Sequence, residues 1–284
     1  MKTIHLEYPG HPEATLEGIL LDGTLTLGQD KCRPAVLVCP GGGYVYCADS
    51  EAEPVALAYA NKGFHAFILR YSTGYQASGF LPLQQASWAI GLMRQHAQEW
   101  NIDPNKIIVC GFSAGGHLAL STGLLAEHKP NAMVLGYPVT SAPAIPAMDF
   151  MLKFLTGKET VTAQDAERFD LLPKITRQAP PVFLMATAQD ALTPFGALAV
   201  AKRYSDLGLG YEVHIFQYGP HGYSLARETS VNGSARYLDP DFAQWHDLSV
   251  DWIFRTLGKP EFTDKSNSRM AQYLKDLGIE LKGF

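Results

Sequence analysis

Six short, nearly unbroken apolar runs recur along this chain with helix-length segments among them, and that alternation constrains its fold more than any other feature. The runs are 35–39, 65–71, 106–110, 132–137, 181–186 and 211–216. A strand that is apolar along its whole length belongs in a sheet covered on both faces, which is where parallel strands are found. Helical patterns at 51–62, 82–100, 114–127, 195–208 and 242–257 supply the crossovers that parallel neighbours require. Two earlier segments, 3–8 and 16–22, alternate polar with apolar residues and read as an antiparallel pair. The fold class is therefore α/β: a mostly parallel, twisted sheet with helices on both faces.

One connection is too long for a plain crossover. About forty residues separate Thr140 from Pro180, and within them 148–155 is apolar and helical in pattern. Residues 141–180 read as a small cap insertion, with extra core packing as the plainer alternative. A second excursion, 224–241, is polar and follows His221. With no repeat, low-complexity tract or linker, residues 1–284 read as one domain carrying these two additions. The tail from 263 to 284 has a single short helical pattern, 270–277, with no role assigned.

Composition narrows the class of function. Lys and Arg total 23 against 28 Asp and Glu, a net charge of −5 with no basic cluster, which argues against nucleic acid as a partner. No apolar run reaches the ~18 residues of a membrane span, and the first residues lack a signal-peptide core. Cys32, Cys39, Cys47 and Cys110 show no zinc spacing, so no metal site is expected and the thiols read as reduced. The expected compartment is the cytoplasm.

The chemistry centres on Gly111-Phe112-Ser113-Ala114-Gly115, between the apolar run 106–110 and the helical run that begins near Ala114. A G-x-S-x-G motif in a strand–turn–helix context is a nucleophile elbow. The turn is tight enough that residues two away from the serine must be small, and the helix N-terminus favours negative charge beside it. Ser113 is the expected nucleophile.

A serine nucleophile needs a base and a group that orients the base. In this topology the order is serine, acid, histidine. His221 follows the last strand in a glycine-flanked loop, whereas the other eight histidines precede Ser113, lie on helices or sit inside a strand. Asp190 leaves the end of the preceding strand, ahead of its rivals Asp206 and Asp239. Its plainer role would be a helix cap near Pro194. Gly41-Gly42-Gly43 follows the first parallel strand and lacks the Gly-Lys-Ser/Thr ending of a phosphate loop. Backbone N–H groups of Gly42 or Gly43 and of Ala114 are the expected oxyanion donors, against the alternative of a turn without function. Tyr44 and Tyr46 are candidates to line the substrate pocket or to cover the sheet edge. Cys39 and Cys110 end two strands and read as packing residues.

These motifs resemble the α/β-hydrolase family, in the esterase/lipase branch with acetylxylan-esterase-like and feruloyl-esterase-like bacterial enzymes. The resemblance is carried by 39–44, 53–56, 101–107, 111–119, Asp190 and His221-Gly222, within roughly residues 16–257. Pro40 departs from it where many relatives have histidine, and Gln85 where many have aspartate. It implies the α/β-hydrolase fold and a serine carboxylesterase without a cofactor, with acetylated sugars as a substrate class. A small serine peptidase or a thioesterase is the alternative. The expected partner is a small-molecule ester, with neither nucleic acid nor membrane; a homodimer stays open. The 148–155 segment, apolar all round, is expected to lie against the sheet and narrow the acyl side of the pocket.

Overall fold

A computed structural model of the protein describes residues 1–22, 32–141, 149–193, 195–231, 233–260 and 269–279. Among them, eight strands form one sheet: β1 (Lys2–Tyr8), β2 (His11–Leu20), β3 (Arg33–Cys39), β4 (His65–Arg70), β5 (Ile102–Phe112), β6 (Ala132–Gly136), β7 (Val182–Thr187) and β8 (Tyr211–Phe216). Their order is β1-β2-β4-β3-β5-β6-β7-β8. β2 runs antiparallel to both β1 and β4, and every pairing from β4 to β8 is parallel. The mostly parallel sheet is thus as the apolar runs predict.

The described helices are α1 (Glu53–Asn61), α2 (Leu81–Gln95), α3 (Ala97–Trp100), α4 (Ser113–Leu125), α5 (Asp149–Thr156), α6 (Ala163–Arg168), α7 (Gly196–Leu207), α8 (Trp245–Leu257) and α9 (Arg269–Asp276). Successive residues of a strand point to opposite faces. On β5, Cys110 faces Tyr59 of α1, and Gly111 faces Ala119 of α4. Hence α1 covers one face, with α8 beside it through a 2.9 Å hydrogen bond between Tyr59 and Ser249. α4 covers the other face, with α2 packed against it. β6 and β7 are buried along their whole length, as two-sided cover requires.

The sequence boundaries shift for local reasons. β2 begins at His11, earlier than predicted, because Gly10 makes the turn with φ +80° and the strand resumes at once. β5 begins at Ile102, with Pro104 accommodated where Arg33 pairs with Ile102 but Ala35 pairs with Ile107. An irregular stretch of this kind tolerates a residue that cannot donate a ladder hydrogen bond. β8 does not fit the fully buried class. It pairs only with β7 at the sheet edge, and Tyr211 and Ile215 are exposed.

The cap region also differs from expectation. Met148, the first residue of the predicted apolar helix, lies outside the described residues, and the helix found is α5. Met151, Leu152 and Leu155 face inward, while Asp149 and Phe150 are exposed, so α5 is amphipathic rather than apolar all round. It packs chiefly on the short helical segment Gly74–Phe80. Phe154 meets the ring of Tyr75 edge-on at 5.3 Å. No described helix is long and apolar enough to cross a membrane.

Candidate active site

The site is assembled at the carboxyl ends of the parallel strands. β5 runs directly into α4, and the junction residue Ser113 has φ +53°, a left-handed conformation that costs a non-glycine residue energy. Two close approaches fix this turn. A Cβ on Gly111 would lie 2.2 Å from the carbonyl oxygen of Gly115, and one on Gly115 only 2.1 Å from that of Cys39. No side chain fits at either position. Ser113 is thereby held at the surface of the sheet layer with its backbone buried and the N-terminus of α4 behind it.

Ser113 and His221, 108 positions apart in the chain, and Asp190 and His221, 31 apart, are joined by hydrogen bonds. His221 Nδ1 lies 2.8 Å from Asp190 Oδ2, and Nε2 lies 2.7 Å from Ser113 Oγ. An ionised carboxylate can only accept, so Nδ1 carries the proton and Nε2 is left to accept from the serine hydroxyl. Asp190 is nearly inaccessible. Burial pushes its carboxyl pKa upward, but the hydrogen bonds from His221 and Thr193 outweigh this and hold it below the ordinary value. Thr193 donates its hydroxyl to Oδ2 at 2.7 Å, and the N–H groups of Leu192 and Thr193 reach Oδ1 at 2.8 and 3.1 Å. Asp190 therefore organises its own turn as well as the imidazole. Pro194, where the capping alternative placed a helix start, lies outside the described residues.

Gly42 and Gly43 line the same hollow as Ser113 and His221, a space of about 550 Å3. Both have positive φ, +116° and +65°. The N–H of Gly41 is already donated to Glu51 Oε2 at 2.7 Å. Ala114 is buried in the first turn of α4, where helix N–H groups have no partner within the helix. Phe150 and Leu192 form part of the wall, and Ser230 and Tyr237 of the excursion after His221 form another part. A larger hollow of about 880 Å3 lies beside Leu57 and Leu238 and contains none of the three hydrogen-bonded residues. Size does not identify the site; the groups that can react do.

The two tyrosines separate. Tyr46 is exposed and lines the hollow. Tyr44 does not line it, which corrects the sequence expectation. Positive φ at Gly42, Gly43 and Tyr44 itself coils the loop so that this ring turns inward, fully buried, with its hydroxyl 2.9 Å from His117 Nδ1. Cys39 and Cys110 lie on adjacent strands, one register step apart, and both are buried; burial raises both thiol pKa values. Gln85, where the family resemblance has aspartate, accepts from the N–H of Ser72 at 2.8 Å and donates to its hydroxyl at 2.6 Å. Among the described residues there is no cluster of His, Cys, Asp and Glu suited to a metal ion.

Three residues at the site escaped the sequence analysis: Glu51, Tyr137 and Thr193. Glu51 is buried beneath the glycine loop and also receives the Tyr137 hydroxyl, at 2.6 Å. The Tyr137 ring stands edge-on to His221, 4.9 Å between centroids. No spacing or periodicity marks these residues. Glu51 sits in an ordinary acidic helix start, and Tyr137 simply ends an apolar run.

Comparison with known proteins agrees with this architecture. A family model described as BD-FAE matches residues 21–143. The chain is 29% identical over 225 residues to endo-1,4-beta-xylanase B of Butyrivibrio fibrisolvens, covering 72% of this chain and 35% of that protein. It is 28% identical over 213 residues to an acetylxylan esterase of Xylanibacter ruminicola, covering 70% of this chain and 43% of that one. The chain thus matches less than half the length of either of these curated relatives. Among solved structures, MGS-M1, an alpha/beta hydrolase enzyme from a Medee basin deep-sea metagenome library, superposes with a TM-score of 0.78 at 33% identity. That likeness spans 91% of this chain and 99% of MGS-M1. With the sheet order, the elbow and a relative of this identity over nearly its whole length, the chain belongs to the α/β-hydrolase family.

Proposed function

We propose that this protein is a serine carboxylesterase that hydrolyses small, short-acyl esters, acetylated sugars among them. Ser113 Oγ attacks the ester carbonyl while His221 Nε2 takes its proton. Asp190 keeps Nδ1 protonated and stabilises the imidazolium that forms. The N–H of Ala114 and that of Gly42 or Gly43 receive the oxyanion; Gly41 is not available, since Glu51 holds its N–H. The imidazolium returns the proton to the alkoxide as the C–O bond breaks. Water, deprotonated by the same nitrogen, then hydrolyses the acyl-enzyme.

The observation that carries this reading is the chain of hydrogen bonds from Ser113 through His221 to Asp190, at 2.7 and 2.8 Å, opening on a hollow. Similarity to a protein named acetylxylan esterase supports an ester as substrate and a sugar as its alcohol. The test is Ser113→Ala, which is expected to abolish labelling by an organophosphonate and to lower kcat on a chromogenic acetyl ester by ~10³-fold or more. Near-wild-type turnover in that variant would refute the mechanism. Faster cleavage of an aminoacyl anilide than of the acetyl ester by the wild-type protein would make it a peptidase.

A further inference from the structure

Glu51 is a carboxylate with almost no exposure, set between three loops that the esterase mechanism depends on. Oε2 accepts the N–H of Gly41 at 2.7 Å, and Oε1 accepts the hydroxyl of Tyr137 at 2.6 Å. The Tyr137 oxygen itself accepts the N–H of Ser224 at 2.9 Å, so its own hydrogen is directed to Glu51. Both oxygens of Glu51 therefore face donors, an arrangement that favours the ionised form, although burial outweighs these bonds and pushes its pKa above the ordinary carboxyl value. A lone acid in this position would be an expensive choice for packing alone, because burial of a charge is offset only by such bonds.

The three anchored points are not equivalent to any three loop residues. Gly41 is wedged between Glu51 and Ser113: a Cβ placed on it would lie 2.6 Å from Glu51 Oε2 and 3.1 Å from Ser113 Cβ. It immediately precedes the two glycines whose N–H groups are the candidate oxyanion donors. Tyr137 packs edge-on against the His221 ring, and its carbonyl oxygen lies 3.1 Å from the hydroxyl of Thr193, whose hydrogen goes to Asp190. Ser224 lies three residues after His221, and its hydroxyl donates to the carbonyl of Ser50, next to Glu51, at 2.5 Å.

We infer that Glu51 is a positioning residue for the reaction, which through Gly41 aims the oxyanion loop and through Tyr137 and Ser224 fixes the loop that carries His221. This rests on the esterase reading above. Glu51 transfers no proton and touches no substrate atom in this role. Its effect is to keep donors aimed where negative charge develops, and a misaimed donor loses much of what makes the hole effective.

The test compares Glu51→Gln and Tyr137→Phe with the wild-type protein on a chromogenic acetyl ester. Each kcat is divided by the concentration of Ser113 that an organophosphonate titrates. An amide offers only one acceptor to two donors, so Glu51→Gln is expected to lower kcat per titrated site by about tenfold or more. KM should stay within about threefold. Tyr137→Phe leaves the Gly41 contact in place, and its kcat should fall less, by about threefold. A residue that served only folding would lower the titratable fraction or Tm and leave turnover per titrated site unchanged, and that result overturns the inference. If Glu51→Gln does not fold, Tyr137→Phe decides alone: unchanged turnover per site refutes it. A wild-type protein that neither labels nor cleaves the ester overturns the esterase reading, and this inference with it; an active wild type with indifferent variants overturns only the role of Glu51.

Discussion

The hydroxyl of Tyr44 donates to His117 Nδ1 at 2.9 Å, and this joins the glycine loop to the elbow helix. His117 Nε2 faces the carbonyl of Phe169 at 3.1 Å, so Nε2 carries the single ring proton and Nδ1 accepts. The imidazole is wholly buried, and burial lowers its pKa from 6.5 to about 4. His65 and His246 are brought to about 4 in the same way. These three are neutral components of the fold rather than bases for the reaction.

A pH dependence of stability follows from them. Their folded pKa values lie below the unfolded 6.5, so the unfolded chain binds more protons between about pH 6.5 and 4. Stability is complete above 6.5 and falls through this window on acidification. Urea midpoints measured from pH 8 to 4 should show the loss. His246 has both ring nitrogens buried without a hydrogen-bond partner and its ring 4.6 Å from that of Tyr59. His246→Phe should therefore flatten the slope by about one proton and be more stable than wild type at pH 5. An unchanged slope would contradict this account.

Two glycines should fail for different reasons. Gly115→Ala drives a methyl group into the carbonyls of Cys39 and Pro40, 2.1 and 2.3 Å away, where only backbone could yield. A loss of about 3 kcal/mol or more is expected, at or beyond the upper end for overpacked sites. Gly79→Ala meets no atom within 4 Å but must adopt φ +71°. The left-handed conformation alone costs ~1–2 kcal/mol. Chemical denaturation of the two variants separates crowding from strain; equal losses would show that the elbow relaxes around the new methyl.

Chain-length preference should depend on Phe150. Its ring lies where a Cβ on Gly43 would come within 2.9 Å of Cε2, so it closes the hollow beside the glycine loop. Acetyl and propionyl esters are expected to show at least about tenfold higher kcat/KM than octanoyl or longer ones, a loss that steric exclusion of one or two methylenes already accounts for. Phe150→Ala should move the optimum to longer acyl groups. Measuring kcat/KM from two-carbon to twelve-carbon esters decides it, and a wild-type maximum at long chains would point to a lipase.

What the sequence by itself determined is what depends on local order and period. Unbroken apolar runs announce the buried strands β3, β5, β6 and β7, because a side chain every second residue must meet cover on each face. Ser113 is legible because an elbow needs small residues at fixed offsets, and Asp190 and His221 because the topology sends successive strand ends to one rim. The tertiary structure alone decided which side chains meet across that rim. Glu51 reaches Gly41, Tyr137 reaches both Glu51 and His221, and Thr193 completes Asp190. It also turned Tyr44 inward, seated α5 on 74–80 and left β8 at an exposed edge. Contacts of this kind depend on strand order, register and the path of loops with positive φ. Those are set by cooperative packing of segments far apart in the chain, and no residue's immediate neighbours encode them.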